Sequence, residues 1–268
     1  MAVMKKIYLF TLLIVAATLV SAQDRYFGRT YTTNVLAKGN FDIELWHTSR
    51  FGHEGEYYHA MDQRAEYEIG VGGNVQTAFY FNRFQTSVSD SFGAIHQSSE
   101  IGFSNEWKWK VTRPTSKLGA AVYGELGVKG DELELETKLI LDKAFGPNLL
   151  AFNLVYELEW EALRANGKNE FELDETPIEF DLAYMRNLSA SFGAGVEVVD
   201  YNAIDQGSWE HSVLFAGPTV NYRGNRWFVV FNYLPQLVNL HKTPEAPNNK
   251  VLDEHERAEA RVIVGFSF

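Results

Sequence analysis

The chain has 268 residues, a formal net charge of −11 and no cysteine. That length suits one large domain. The acidic balance argues against a nucleic-acid partner, whose phosphates demand basic residues, and the lack of cysteine excludes both a disulfide framework and a lipid-bearing N-terminal cysteine.

Residues 1–22 carry Lys5 and Lys6, an apolar run over 7–20, and Val20-Ser21-Ala22 ahead of Gln23. This reads as a cleaved secretory signal peptide, with an apolar run too short to favour a membrane helix. No later stretch approaches the roughly 20 apolar residues of a membrane helix, so a membrane location requires a closed barrel. Residues 23–39 have no persistent period and read as a periplasmic N-terminal lead-in, with room to fold into a lumen. Residues 40–268 read as the barrel.

The first strand covers 41–47, with Phe41, Ile43 and Leu45 on one side and Asp42, Glu44 and Trp46 on the other. The second, 63–71, sets Ala65, Tyr67, Ile69 and Val71 against Arg64, Glu66, Glu68 and Gly70. Gly72-Gly73-Asn74 then supplies a tight turn from residues that tolerate positive φ. The third strand is 75–84. A polar stretch, 85–98, reads as a loop before the fourth strand, 100–110, where Ile101, Phe103, Trp107 and Trp109 oppose Glu100, Ser104, Glu106, Lys108 and Lys110. After a Pro-containing turn at 113–116, the fifth and sixth strands are 118–128 and 132–141, joined through Lys129-Gly130. Gly146-Pro147 turns the chain into the seventh, 149–162, and Asn166-Gly167 lies in the loop before the eighth, 177–184. The ninth to eleventh are 192–198, 213–222 and 227–233. A long loop, roughly 235–254, leads to the last strand.

That strand, 258–268, puts Ala258, Ala260, Val262, Val264, Phe266 and Phe268 on one side, with Ile263 the one apolar residue on a largely polar opposite side. It resembles the C-terminal signal, ending in Phe, that delivers bacterial outer-membrane barrels to their assembly machinery. The count of about twelve strands is even, and most connections alternate between compact and longer ones, as periplasmic turns and external loops do when both termini are periplasmic. The expected fold is therefore an all-β transmembrane antiparallel up-and-down barrel. The stretch 34–82, including Glu44-Leu45-Trp46, Asp62-Gln63-Arg64 and Gly70, is similar to a family of Gram-negative outer-membrane barrels without an assigned function. It is more loosely similar to porin-like transporters encoded beside aromatic-degradation pathways. The resemblance implies a transport-type role and brings no site residues with it.

The inward faces of such a barrel are acidic. Glu132, Glu134 and Glu136 share one face of the sixth strand, and Glu157, Glu159 and Glu161 one face of the seventh. A two-residue turn at Gly146-Pro147 opposes Glu136 to Glu157, Glu134 to Glu159 and Glu132 to Glu161, and a two-residue turn at Lys129-Gly130 puts Glu125 opposite Glu134. Like charges directly opposite are destabilising, so water, cations or facing basic groups must reach this wall. Arg64, Lys108, Lys110, Lys138 and Arg261 point inward and are fewer than the acids. The functional expectation is a narrow porin-like channel or transporter for small polar or cationic solutes. The competing expectation is a salt-bridged network that plugs the lumen.

His47, His53, His59, His96, His211, His241 and His255 gather towards the external half, with His53 and His59 in one acidic loop. Their spacing fixes no tetrahedral metal site, so a metal stays an open question, and no cofactor is expected. An outer-membrane lipid hydrolase is the alternative function, with His47, His211 and His255 near Ser49, Ser208 and Asp253, as is a closed structural or adhesive barrel acting through its loops. The expected partners are outer-membrane lipid, the assembly machinery and small solutes.

Overall fold

The computed structural model describes residues 25–113, 115–165, 168–173, 175–205, 207–244 and 246–268. The signal peptide expected at 1–22, the first two residues of the lead-in and Asn166-Gly167 lie outside the described residues. The strands are β1 (Phe41–Phe51), β2 (Tyr58–Gly72), β3 (Val75–Ser89), β4 (Ile95–Lys110), β5 (Gly119–Lys129), β6 (Glu132–Phe145), β7 (Asn148–Ala165), β8 (Lys168–Leu173), β9 (Ile178–Asn187), β10 (Phe192–Asp205), β11 (Ser208–Arg223), β12 (Trp227–His241) and β13 (Ala258–Ser267). Twelve of them close a ring of antiparallel pairs, with β1 joined to β13 and β6 to β7. β7 changes partner along its length: 148–156 pair with β9, and 160–165 pair with β8, the return arm of a hairpin that leaves the ring.

Alternation along each strand sorts the side chains. Asp42, Glu44, Trp46 and Thr48 of β1 are buried, while Ile43 and Leu45 between them are exposed. The same rule turns Phe79, Ile101, Trp107 and Leu126 outward and Tyr80, Ser104, Glu106 and Glu125 inward. Apolar groups outside and polar ones within are the arrangement of a barrel set in lipid, the inverse of a soluble sandwich. Ile263, the exception in the last strand, faces inward and is fully buried beside Trp46, Phe228 and Val230.

Phe268 closes the seam. Its N–H donates to the Phe41 carbonyl at 2.9 Å, its own carbonyl accepts from the Phe41 N–H at 3.3 Å, and the two rings stack with centroids 4.9 Å apart. At this terminal end the turns include Gly73-Asn74, both with φ of 64°, and Gly146-Pro147, with φ of 58° at the glycine. At the opposite, loop end several loops are shorter than the sequence suggests. The polar stretch 85–98 continues β3 and β4 to a turn at 90–94, where Asp90 Oδ1 accepts from the N–H groups of Phe92 and Ala94 at 2.9 Å each. Likewise β10 runs on to Asp205 and β11 begins at Ser208. The β3 and β4 extensions are mostly polar on both faces, whereas that of β10 alternates Val199, Tyr201 and Ala203 with Asp200 and Asn202. The loop before β13 spans 242–257 and folds inward: Gln236 exchanges hydrogen bonds with the backbone of Val251 (2.9 and 3.0 Å), and Ala246 and Val251 pack on Val199, Phe215 and Leu234.

The lead-in occupies the lumen. Among its described residues only Gly39 bonds a strand backbone, donating to the Gly70 carbonyl at 2.8 Å, and elsewhere buried wall side chains take that role. Glu197 accepts from the N–H groups of Gly28, Arg29 and Thr30 at 2.9, 2.7 and 3.0 Å. Asn153 both accepts from and donates to the Tyr31 backbone at 2.7 and 3.0 Å, Asp142 accepts from the Thr33 N–H at 2.7 Å, and Gln76 from the Leu36 N–H at 2.8 Å. Phe27 is fully buried against Leu149, Ala151, Ala183 and Met185. Gly70 leaves room for the backbone of Leu36 and Ala37, whose carbonyl oxygens a β-carbon there would strike.

Two outcomes follow from these contacts. Glu197→Ala removes three charge-assisted acceptor bonds to the segment and should cost roughly 3–5 kcal/mol. It should be read as a lower unfolding temperature and as new protease cleavage within 25–39, and an unchanged cleavage pattern would show that Glu197 does not hold the segment. Removing Phe268 takes away a stacked pair worth about 0.5–1.5 kcal/mol and the last backbone pairing at the seam. The heat-modifiable folded band should weaken on gel electrophoresis, and normal folded levels would contradict that role for the terminal residue.

Candidate solute site in the lumen

Between the N-terminal segment and the loop end lies a cavity of about 280 Å³. Its lining is mainly acidic on one side and mainly basic on the other. Glu125, Glu134, Glu136 and Glu157 come from β5, β6 and β7, with Lys138 among them and Glu179 and Asp181 from β9, while Arg50, Arg64 and Arg261 come from β1, β2 and β13, with Asp62 of β2 among them and joined by Arg29 of the segment. Adjacent strands contribute like charges because the inward positions of each recur every second residue and the hairpin registers align them.

The register of the acidic wall is Glu132 to Glu161, Glu134 to Glu159 and Glu136 to Glu157, as the Gly146-Pro147 turn requires. Glu125, however, pairs with Glu136 rather than Glu134. The turn is Gly130-Asp131, not Lys129-Gly130, because glycine takes the first central position with φ of 59°, leaving Lys129 paired with Glu132. The shift lowers Glu125 by one pair without changing which face it occupies.

Part of this wall is compensated. Arg64 reaches Glu125 at 3.5 Å, and Glu125 also accepts from the hydroxyls of Ser104 at 2.5 Å and of Tyr123. Lys138 lies 2.9 Å from Glu136 and 4.6 Å from the centre of the Tyr31 ring, and Lys129 pairs with Glu132 at 2.5 Å. Among the described ion pairs none brings a lysine or arginine onto Glu134, Glu157 or Glu161. The facing wall is gathered around Glu259, which meets Arg261 at 3.3 Å, Arg50 at 3.4 Å and Arg29 at 3.5 Å; Arg29 also meets Glu179 at 2.6 Å, spanning the two walls.

The basic residues named from the sequence therefore separate. Arg64 and Lys138 touch the acidic wall, and Arg261 lies on the opposite one, donating to the Gly28 carbonyl at 2.9 Å. Lys108 is buried lower down, 5.6 Å from the Tyr31 ring, and Lys110 lies towards the terminal end beside Arg113 and Asp142. Sequence reasoning missed Arg25 and Arg29. Arg25 lies 3.5 Å from Glu44 and 3.9 Å from Glu66, between the rings of Tyr31 and Trp46. Both arginines sit in an aperiodic stretch, and only the excess of inward acids hinted that cations would come from elsewhere.

Of the histidines, His47 faces outward and meets Ser49 at 3.2 Å, and His96 pairs with Asp90 at 2.9 Å on the exposed β3–β4 hairpin. His241 stacks on Trp209 with ring centres 3.9 Å apart. His211 meets His255 at 2.7 Å and Glu254 at 3.4 Å. Burial, then the neighbouring His211, pushes His255 down to about 3, so its imidazole is neutral. Neither Ser208 nor Asp253 is bonded to His211 or His255 among the described hydrogen bonds.

Known proteins share this architecture at low identity, which speaks to fold alone. The outer-membrane channel COG4313 from Pseudomonas putida F1 has a TM-score of 0.60 at 11% identity, covering 88% of this chain and 98% of that one. The porin NanC has 0.53 at 9%, covering 84% and 100%, and the translocator domain of the autotransporter NalP from Neisseria meningitidis 0.50 at 12%, covering 85% and 87%. No curated protein sequence matches the chain. The model of the family of unknown function DUF6662 matches residues 19–268, and the chain belongs to that family.

Proposed function

We propose that the protein is a porin-like barrel of the Gram-negative outer membrane that passes or binds small polar or cationic solutes. Residues 1–22 direct its export, both termini face the periplasm, and Phe266 and Phe268 present the last strand to the assembly machinery. The long inward-folded loop at the end away from the termini supports this orientation, since external loops are the longer ones.

The observation that carries the solute class is the set of three opposed glutamate pairs on β6 and β7, three of whose members line the cavity together with Glu125. Carboxylates at that spacing repel one another, and a solute cation relieves the repulsion as it enters. The arginine group around Glu259 faces them and offers a carboxylate or other anionic end of the same solute a place to bind. Twelve strands enclose a lumen between the filled barrels of eight and the open ones of sixteen, and the N-terminal segment narrows it further. Small solutes are therefore favoured over chains. The reading involves no cofactor.

The test is a planar-bilayer measurement of the reversal potential under a salt gradient. Glu134→Gln with Glu159→Gln should leave the barrel folded and lower the cation-to-anion permeability ratio about fivefold or more, the scale of a ~1 kcal/mol change in ion interaction. An unchanged ratio would remove the glutamate wall from selectivity.

A further inference from the structure

The strand registers set the outer surface of β13, β1, β2 and β3 in rows. One row runs Val264, Leu45, Ala65 and Phe81, and the next row towards the loop end runs Val262, His47, Gln63 and Arg83. Alternation turns all of them outward, and together they line an open groove of about 430 Å³ on the lipid-facing side. Ala65, the smallest of the lower row, lies between Leu45 and Phe81, so the floor of the groove is apolar and recessed there.

The upper end of the groove is charged. Arg83 Nε donates to Ser99 Oγ at 3.4 Å, Nη1 to Gln63 Oε1 at 3.2 Å and Nη2 to Gln85 Oε1 at 3.2 Å. All three acceptors are neutral, and among the described ion pairs none includes Arg83. The outward positions of β1 to β4 hold no acid and no lysine, so Arg83 is a lone fixed charge on that surface. Its neighbours orient the guanidinium fork and leave its charge uncompensated. At the upper edge of the apolar band the groups that can compensate it belong to lipid heads.

We propose that this groove binds one phosphorylated glycolipid of the outer leaflet, with an acyl chain over Ala65 and a phosphate on Arg83. The leaflet follows from the orientation proposed above, loop end outward, and the inference rests on that reading. Arginine meets phosphate through two parallel N–H bonds, and charge-assisted bonds of this kind are roughly twice as strong as neutral ones. The groups beside Arg83 decide for a sugar-bearing head. Ser49 and Gln85 lie one row higher and Ser99 faces Gln85, so hydroxyls and an amide adjoin Arg83 as well as the imidazole of His47. A head rich in hydroxyl and amide groups uses these donors and acceptors, whereas a simple phosphodiester head uses Arg83 alone.

The experiment is native mass spectrometry of the folded full chain, freed of lipid and held in neutral detergent, titrated with a bisphosphorylated, acylated glucosamine disaccharide. One lipid per barrel is expected, bound about tenfold or more tightly than the same lipid stripped of its phosphates, and more tightly than phosphatidylglycerol. Arg83→Gln should abolish the preference for phosphate. Ala65→Leu should weaken the phosphorylated and the stripped glycolipid alike, since it fills the acyl seat. Both side chains lie outside the lumen, and the heat-modifiable folded band checks that each variant folds. No saturable binding, equal affinity for the stripped lipid, or a phosphate preference retained in folded Arg83→Gln would overturn the site, and equal binding of phosphatidylglycerol would overturn the glycolipid. The comparison of lipids on the wild-type barrel decides without any variant. Detergent has no leaflets, so failure to bind leaves the proposed orientation standing. The orientation is tested alone by labelling Phe92→Cys, at the exposed tip of the β3–β4 hairpin, in intact cells: labelling supports the outer leaflet, and protection would overturn it and the proposal with it.

Discussion

Everything inside this barrel depends on satisfying a lumen full of charge and an unpaired length of backbone at the same time. The N-terminal segment cannot pair as a strand, so its N–H groups need acceptors, and the inward acids need cations and donors. Each supplies the other. Glu197 takes three consecutive backbone N–H groups, while Arg25 and Arg29 reach Glu44, Glu66, Glu179 and Glu259. A buried carboxylate without such partners costs several kcal/mol, so the segment and the wall stabilise each other rather than one decorating the other.

This exchange divides the lumen. Towards the terminal end apolar contacts clasp the segment, among them Phe27 against Met185 and Tyr31 against Tyr123, and a further cavity of about 320 Å³ lies there beside Tyr26, Lys110 and Asp142. Above it the cavity remains, and its charges separate into an acidic wall on β5 to β9 and a basic group around Glu259. From the loop end inward come the loop that holds Ala246 and Val251, then the two walls, then the segment.

Much of the fold was legible because a barrel writes itself in a period of two. The inward glutamates of β6 and β7 were assignable from Gly146-Pro147 alone, since one short turn sets the register of both strands. The placement of Glu125 failed by one pair because Lys129, Gly130 and Asp131 offer two possible two-residue turns, and only the left-handed glycine in the first position distinguishes them. The strands beyond 84 were hidden because 85–89 and 95–99 are mostly polar on both faces, and beyond 198 the alternation of Val199, Tyr201 and Ala203 continues with its apolar side turned inward. The docked segment was legible only as an absence of pattern: its partners are side chains scattered over β3, β6, β7 and β10, and no local periodicity encodes them. The meeting of His211 with His255 was hidden for the same reason.

The claim on which the rest stands is that the N-terminal segment lies inside the lumen. The chain has no cysteine, so a single introduced one reports cleanly. Thr30 is 1% exposed and its hydroxyl has no hydrogen-bond partner, whereas Lys38 is exposed. Labelling of Thr30→Cys and Lys38→Cys by a bulky maleimide in the folded protein is the most direct measurement. The account predicts rapid labelling at 38 and labelling at 30 only after unfolding; equal rates at both positions would place the segment outside the barrel.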